Sequence, residues 1–254
     1  MKELKKDKLK VKIFPTRGEM GEAAACDIAD AINKLLSEKD EINMIFAAAP
    51  SQNDVLAALV KKDVPWERIN AFHMDEYIGL PEGAEQSFGN YLKEHIFGLV
   101  KFKSVNYINA SAKDREAECE RYTALLKKYP VDIVCLGIGE NGHIAFNDPH
   151  IAFFNDEKRV KIADLDEKCR MQQVHDGCFK TLSDVPEYAL TLTIPSLTAA
   201  KYMFCVVPTD KKAEAVRTTV EGEIGEYCPA TVMRRHGGAI LYCDHASASL
   251  LKNQ

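Results

Sequence analysis

The chain reads as an α/β protein built on a mostly parallel sheet with helices on both faces, and three observations predict this. Strand-like and helix-like segments alternate along most of the 254 residues. The clearest strand-like runs, 42–47 and 131–136, are apolar but for Asn43 and Asp132, as strands buried on both faces are. Three glycines and a histidine follow the second run directly, and an open α/β sheet holds its ligands outside the carboxyl ends of its strands.

The elements follow in order. Residues 10–14 form a short strand. Residues 16–36 form a helix, because Met20, Ala24, Ile28, Ile32, Leu35 and Leu36 fall near one face. Strand 42–47, helix 54–61, strand 69–73 and helix 87–97 come next. Then come strand 105–108, helix 113–127 with its charges on one side, and strand 131–136. Strands 188–194 and 202–207, helix 209–220 and strand 239–242 continue the alternation, and helix 244–251, capped by Asp244, closes it. Residues 149–183 are the least regular and suit a flap or small insertion. No linker or repeat interrupts the pattern, so residues 1–254 read as one domain.

Composition narrows the function classes. The chain is 46% hydrophobic and 28% charged with a net charge of −5, which offers nothing to nucleic acid. Five lysines fall within residues 2–10, read as a solvated, frayed terminus. No apolar stretch follows them to make a signal peptide, and no run is long enough to span a membrane. None of the eight cysteines sits in a C-x-x-C pair, so reduced thiols in the cytoplasm are expected and no metal site.

Four loops carry chemistry. In 137–149, Gly137, Gly139 and Gly142 match G-x-G-x-x-G, but no helix opens there and the motif lies mid-chain, which argues against a dinucleotide. These glycines let the backbone approach a ligand, and His143 is a candidate acid or base. In 72–80, Asp75 and Glu76 follow a strand end. Glu76 suits helix capping, whereas Asp75, among large apolar residues, would be desolvated and strengthened as a base. In 47–53, Ala48, Ala49 and Ser51 lead into a helix start that favours an anion. In 207–213, a helix begins at Thr209 or Asp210, and Lys211 and Lys212 stand at its N-terminus against the dipole, which hints at an anion.

Phe72-His73-Met74-Asp75-Glu76-Tyr77-Ile78-Gly79-Leu80 and Gly137-Ile138-Gly139-Glu140-Asn141-Gly142-His143-Ile144-Ala145-Phe146-Asn147-Asp148-Pro149 resemble the glucosamine-6-phosphate deaminase (isomerase) family. The resemblance runs from about residue 42 to residue 251, taking in Val185-Pro186, Ala189-Leu190-Thr191 and Lys212-Ala213. It implies a Rossmann-like domain, shared with 6-phosphogluconolactonases, and conversion of an amino-sugar phosphate and water to a ketose phosphate and ammonia. It implies no cofactor and no essential metal. The residue matching Asp75 would carry a proton from C2 to C1 of the open-chain sugar, and that matching His143 would open the ring. Asn141 and Asp148 would flank and tune the imidazole. Lys212 and the loop of Ala48, Ala49 and Ser51 would hold phosphate, with Gly139 among the substrate contacts. The chain departs from the family pattern at Asn141, commonly Asp, at Asp148, commonly Glu, and at Ala48-Ala49-Pro50-Ser51, commonly Thr-Gly-Gly-Thr. A phosphate-binding Arg of many members falls near Cys178. A lactonase-like hydrolase and a non-catalytic sugar-phosphate sensor are the competing readings. Partners other than a small sugar phosphate are not implied, and assembly into a homo-oligomer is left open.

Overall fold

A computed structural model describes residues 1–81 and 83–252. In chain order, β1 (Lys2–Lys6), β2 (Leu9–Phe14) and α1 (Arg17–Glu38) are followed by β3 (Ile42–Phe46), α2 (Asn53–Leu59), β4 (Ile69–His73) and β5 (Asp75–Tyr77). Then come α3 (Phe88–Leu92), β6 (Ser104–Asn106), α4 (Arg115–Lys128), β7 (Ile133–Leu136), β8 (Val160–Asp164) and α5 (Glu167–His175). The chain closes through β9 (Tyr188–Leu192), α6 (Ile194–Thr198), β10 (Tyr202–Val207), α7 (Ala213–Glu221) and β11 (Ala239–Asp244).

The main sheet runs β1-β2-β11-β10-β7-β3-β4-β6, parallel throughout except for the β1–β2 pair. Alternate side chains of each strand enter different cores. Ile45, Val134, Leu136, Cys205 and Leu241 pack on one face against Tyr122 and Leu126 of α4 and Val216 of α7. Met44, Phe46, Cys135, Phe204 and Tyr242 pack on the other against Met20, Ile28 and Leu35 of α1 and Leu56 of α2. The expected sheet with helices on both faces is therefore present, and the apolar runs have their cause: both faces are buried.

Several expectations change. The lysine-rich start is an ordered strand, not a frayed end: β1 pairs antiparallel with β2, from Lys2 opposite Ile13 to Lys6 opposite Leu9. Lysines along an edge strand deter further pairing, so its polarity reflects its position. Residues 149–183 are more regular than they read, since they supply β8 and α5. The strand at 188–192 does not join the parallel sheet. It is the centre of a second, antiparallel sheet, β5-β9-β8. The expected closing helix 244–251 is a run of turns. Its intended cap, Asp244, also reaches across the fold: it accepts from Ser247 N at 2.7 Å and from Thr209 N at 3.2 and 3.0 Å.

That carboxylate supports an unusual backbone. Thr209 sits at φ +77°, a region β-branched residues avoid. The turn it makes precedes a short 3-10 turn, Asp210–Lys212, which leads into α7. Asp244→Ala leaves the Thr209 and Ser247 N–H groups without their acceptor. It should lower stability by about 2–4 kcal/mol, read as a fall in urea midpoint at unchanged slope.

Candidate active site

Four neighbouring strands, β10, β7, β3 and β4, point the same way, so the loops beyond their carboxyl ends adjoin. These loops are the four singled out from the sequence. They line one cavity whose walls include Ala48, Ala49, Ser51, Asp75, Gly137, Gly139, His143 and Lys212. Phe88 of α3 and Gln172, Gln173 and Asp176 at the end of α5 complete it.

Asp75 opens β5 and lies opposite Thr191 of β9. The strand is anchored one residue earlier, where Leu192 N donates to the Met74 carbonyl at 2.8 Å. Asp75 is only 6% exposed, and among the described residues it forms no ion pair. Burial pushes its carboxyl well above the usual range, the neighbouring Glu76 charge adds to this, and the Phe146 N–H partly opposes it. Glu76 has a different task. It accepts from Tyr77 N, Phe88 N, Gly89 N and Ser87 Oγ at 2.8–3.0 Å, and so pins the start of α3. The capping role expected of Glu76 is present, but in a buried setting and for a helix twelve residues on.

His73, next in the same motif, is structural. Burial pushes its imidazole down to about 3, and Nε2 accepts from Ile108 N at 2.7 Å.

His143 is held by a relay. Its Nδ1 lies 2.7 Å from Asn141 Oδ1 and 3.2 Å from Asp148 Oδ1. Asn141 Oδ1 also accepts from His143 N at 3.0 Å, and its Nδ2 donates to Asp148 Oδ1 at 2.8 Å. An amide oxygen facing Nδ1 requires the proton on that nitrogen, which leaves Nε2 free to exchange a proton. Burial disfavours the Asp148 charge. The His143 and Asn141 hydrogen bonds and the Asp166 N–H outweigh it and hold the carboxyl below its usual range. The shorter side chain at 148 therefore still reaches the imidazole.

Two glycines make this possible. A Cβ at Gly139 would overlap the His143 ring, so the position belongs to the imidazole's own space as much as to a substrate. Gly142 has φ +86°, and a Cβ there would lie 2.5 Å from Cys228 Sγ.

The anion end is lightly charged. Lys212 is 5% exposed and is the one cation among the described residues lining the cavity. Burial pushes its ammonium down, while Asp176 and Glu140 pull it back up. Cys178 does not reach this cavity. It lines an adjoining hollow with Ala48, Ala49, Tyr91 and Gln173. Gln172, Gln173, Asp176 and Asp166 were missed from the sequence, because α5 buries only Cys169, Gln172 and Gln173 and has no apolar stripe to announce it. The signal that could have found it is an N-cap, Asp166, which accepts from Cys169 N at 2.6 Å.

His143, Asp148 and Cys169 bring ligand atoms within 4.8 Å of one another. A cation there would break the hydrogen bonds that orient the ring.

Gly139→Ala should displace the imidazole. Turnover of a cyclic substrate is expected to fall about 10²-fold or more with the thermal midpoint within a few °C of the parent's, as compared by steady-state kinetics and calorimetry.

The family model described as glucosamine-6-phosphate isomerases/6-phosphogluconolactonase matches residues 15–242. A glucosamine-6-phosphate deaminase of Bacillus cereus (strain B4264) is 36% identical over 228 residues, covering 88% of this chain and 85% of its own length. One from Bacillus cytotoxicus is 36% identical over 219 residues, covering 86% and 82%. The solved structure of a monomeric glucosamine-6-phosphate deaminase matches with a TM-score of 0.85 at 30% identity, over 94% of this chain and 99% of that one. A 6-phosphogluconolactonase of Thermotoga maritima matches with a TM-score of 0.75 at 22% identity, over 92% and 98%, a likeness of fold alone. The chain belongs to the glucosamine-6-phosphate isomerase/6-phosphogluconolactonase family.

Proposed function

We propose that this enzyme converts glucosamine 6-phosphate and water to fructose 6-phosphate and ammonia. The observation that carries the reading is the pairing of a desolvated, unpaired carboxylate, Asp75, with an imidazole oriented through Nδ1, in one cavity. Lys212 supports a phosphate at the same cavity. His143 Nε2 exchanges a proton with the ring oxygen as the sugar opens. Asp75 then takes the proton from C2, and the electrons move to give a 1,2-enolamine. The same carboxyl returns the proton to C1, and water hydrolyses the resulting ketimine to ketose and ammonia. General acid–base groups of this kind each contribute about 10²–10⁴-fold. The chain acts as one domain, and its eight free thiols suit the reducing cytoplasm. No helix among the described residues is long and apolar enough to cross a membrane.

The test is ammonium release from glucosamine 6-phosphate. Turnover is expected for the parent and its loss for Asp75→Asn. Hydrolysis of a 6-phosphogluconolactone without ammonium, or binding of the amino sugar without turnover, would overturn the assignment.

Two pH effects follow. The base must be ionised, so kcat/KM should rise with pH along an acid limb lying above the usual carboxylate range. Stability should run the other way. With its folded pKa raised, Asp75 is harmless below the unfolded value near 4. Above that the unfolded chain ionises first, so the folded state loses ground as pH climbs towards the folded pKa. Asp75→Asn should therefore raise the thermal midpoint at pH 8 by roughly 2–6 °C and by less at pH 5. An equal gain at both values would rule out a buried ionisable penalty.

A further inference from the structure

The imidazole's relay extends one residue further than the motif that contains it. Asn141 Nδ2 has two hydrogens. One goes to Asp148 Oδ1, and the other goes to Asp166 Oδ2 at 2.9 Å. Asn141 Oδ1 takes both available N–H groups of His143, from the ring and the backbone. Every donor and acceptor of the amide is thereby used. Turning it over would set its oxygen against two carboxylates and its NH₂ against two N–H groups. Asp166 reaches the same cluster once more, since its own N–H donates to Asp148 Oδ2 at 3.0 Å, and its Oδ1 caps α5.

We infer that Asp166 is a positioning residue for His143, locking the Asn141 amide so that the ring keeps its proton on Nδ1 and its free nitrogen towards the substrate. This rests on the proposed ring-opening role of His143. The same residue ties the ring to α5, whose far end carries Gln172, Gln173 and Asp176 into the cavity.

The charge count makes the inference testable. Two carboxylates, Asp148 and Asp166, share one amide. Asn141→Asp would bring a third carboxylate to within 2.8–2.9 Å of both, where two donated hydrogens now sit. Three ionised groups cannot coexist at that spacing, so the cluster must take up a proton or come apart. Asp166→Asn in that background removes one of the three carboxylates and lets its NH₂ donate to the one placed at 141, while that carboxylate still faces Asp148 Oδ1 with no hydrogen between them. Asn is as good an N-cap as Asp, so α5 keeps its start. The other titratable groups around the network are Cys169 from α5, Glu140 from the same loop, and Asp75, Asp176 and Lys212 across the cavity. None is altered by these substitutions.

Asp166→Asn alone should lower kcat/KM for glucosamine 6-phosphate about tenfold, the size of a hydrogen bond to a charged group. Asn141→Asp alone should lower it at least 100-fold at pH 8, with partial recovery towards pH 6 as the extra proton is held. The double variant should recover about tenfold over Asn141→Asp alone and keep the acid-side recovery, since one carboxylate pair remains. A separate reading needs no turnover. The ring ¹⁵N resonances of His143 in the unliganded protein should report a proton fixed on Nδ1 in the parent and a weakened preference for it in Asp166→Asn. Should the parent show no ammonium release, the functional reading fails, and the resonances still decide the inference. Parent-like kinetics and an unchanged His143 tautomer in Asp166→Asn would overturn it. So would a double variant no better than Asn141→Asp.

Discussion

Everything at the site depends on the shared direction and adjacency of β10, β7, β3 and β4. Parallel neighbours end together, so loops far apart in sequence are delivered to one rim. The loop after β3 brings Ala48 and Ser51, the loop after β7 brings His143, and the turn after β10 brings Lys212. The segment after β4 brings Asp75, but it does not end as a loop. It turns into β5 and is gripped by β9, which makes the Asp75 carboxylate part of a second sheet. A general base set on a strand is held more firmly than one on a free loop.

The two carboxylates at 75 and 76 show how environment divides labour. Both are buried, and burial raises both. Glu76 receives four donated hydrogens and anchors α3, while Asp75 has the Phe146 N–H for partial relief and faces the cavity. The well-satisfied group stabilises, and the poorly satisfied group is the proposed base. The left-handed Thr209 belongs to the same pattern. A strained backbone persists three residues before the cavity-lining Lys212 because a distant carboxylate, Asp244, holds it there.

Much of this was legible in the residue order. Largely apolar runs located the buried strands, and glycines beside a histidine located the rim. What escaped depended on partners remote in sequence. The lysines of β1 look like a loose end until their place at a sheet edge is known. The polar helix α5 carries no apolar stripe, because two of its three buried side chains, Gln172 and Gln173, face the cavity and only Cys169 joins the core. Asp244 has the form of a helix cap and is diverted by Thr209, 35 residues away. Asp166 stands 25 residues from the amide it holds, beyond the reach of any local motif. Asp75 and His143 were visible because part of what surrounds them, Met74, Glu76 and Tyr77 for the one and Asn141 and Asp148 for the other, lies in the same short segments.

The most direct trial of the central claim follows the hydrogen on C2. With glucosamine 6-phosphate deuterated at that carbon and turned over in ordinary water, removal by Asp75 predicts a primary isotope effect on turnover. It also predicts a ketose product whose new C1 hydrogen comes from the substrate's C2 or from solvent. Ammonium released with the deuterium still on C2 would contradict a carboxylate that moves hydrogen between neighbouring carbons.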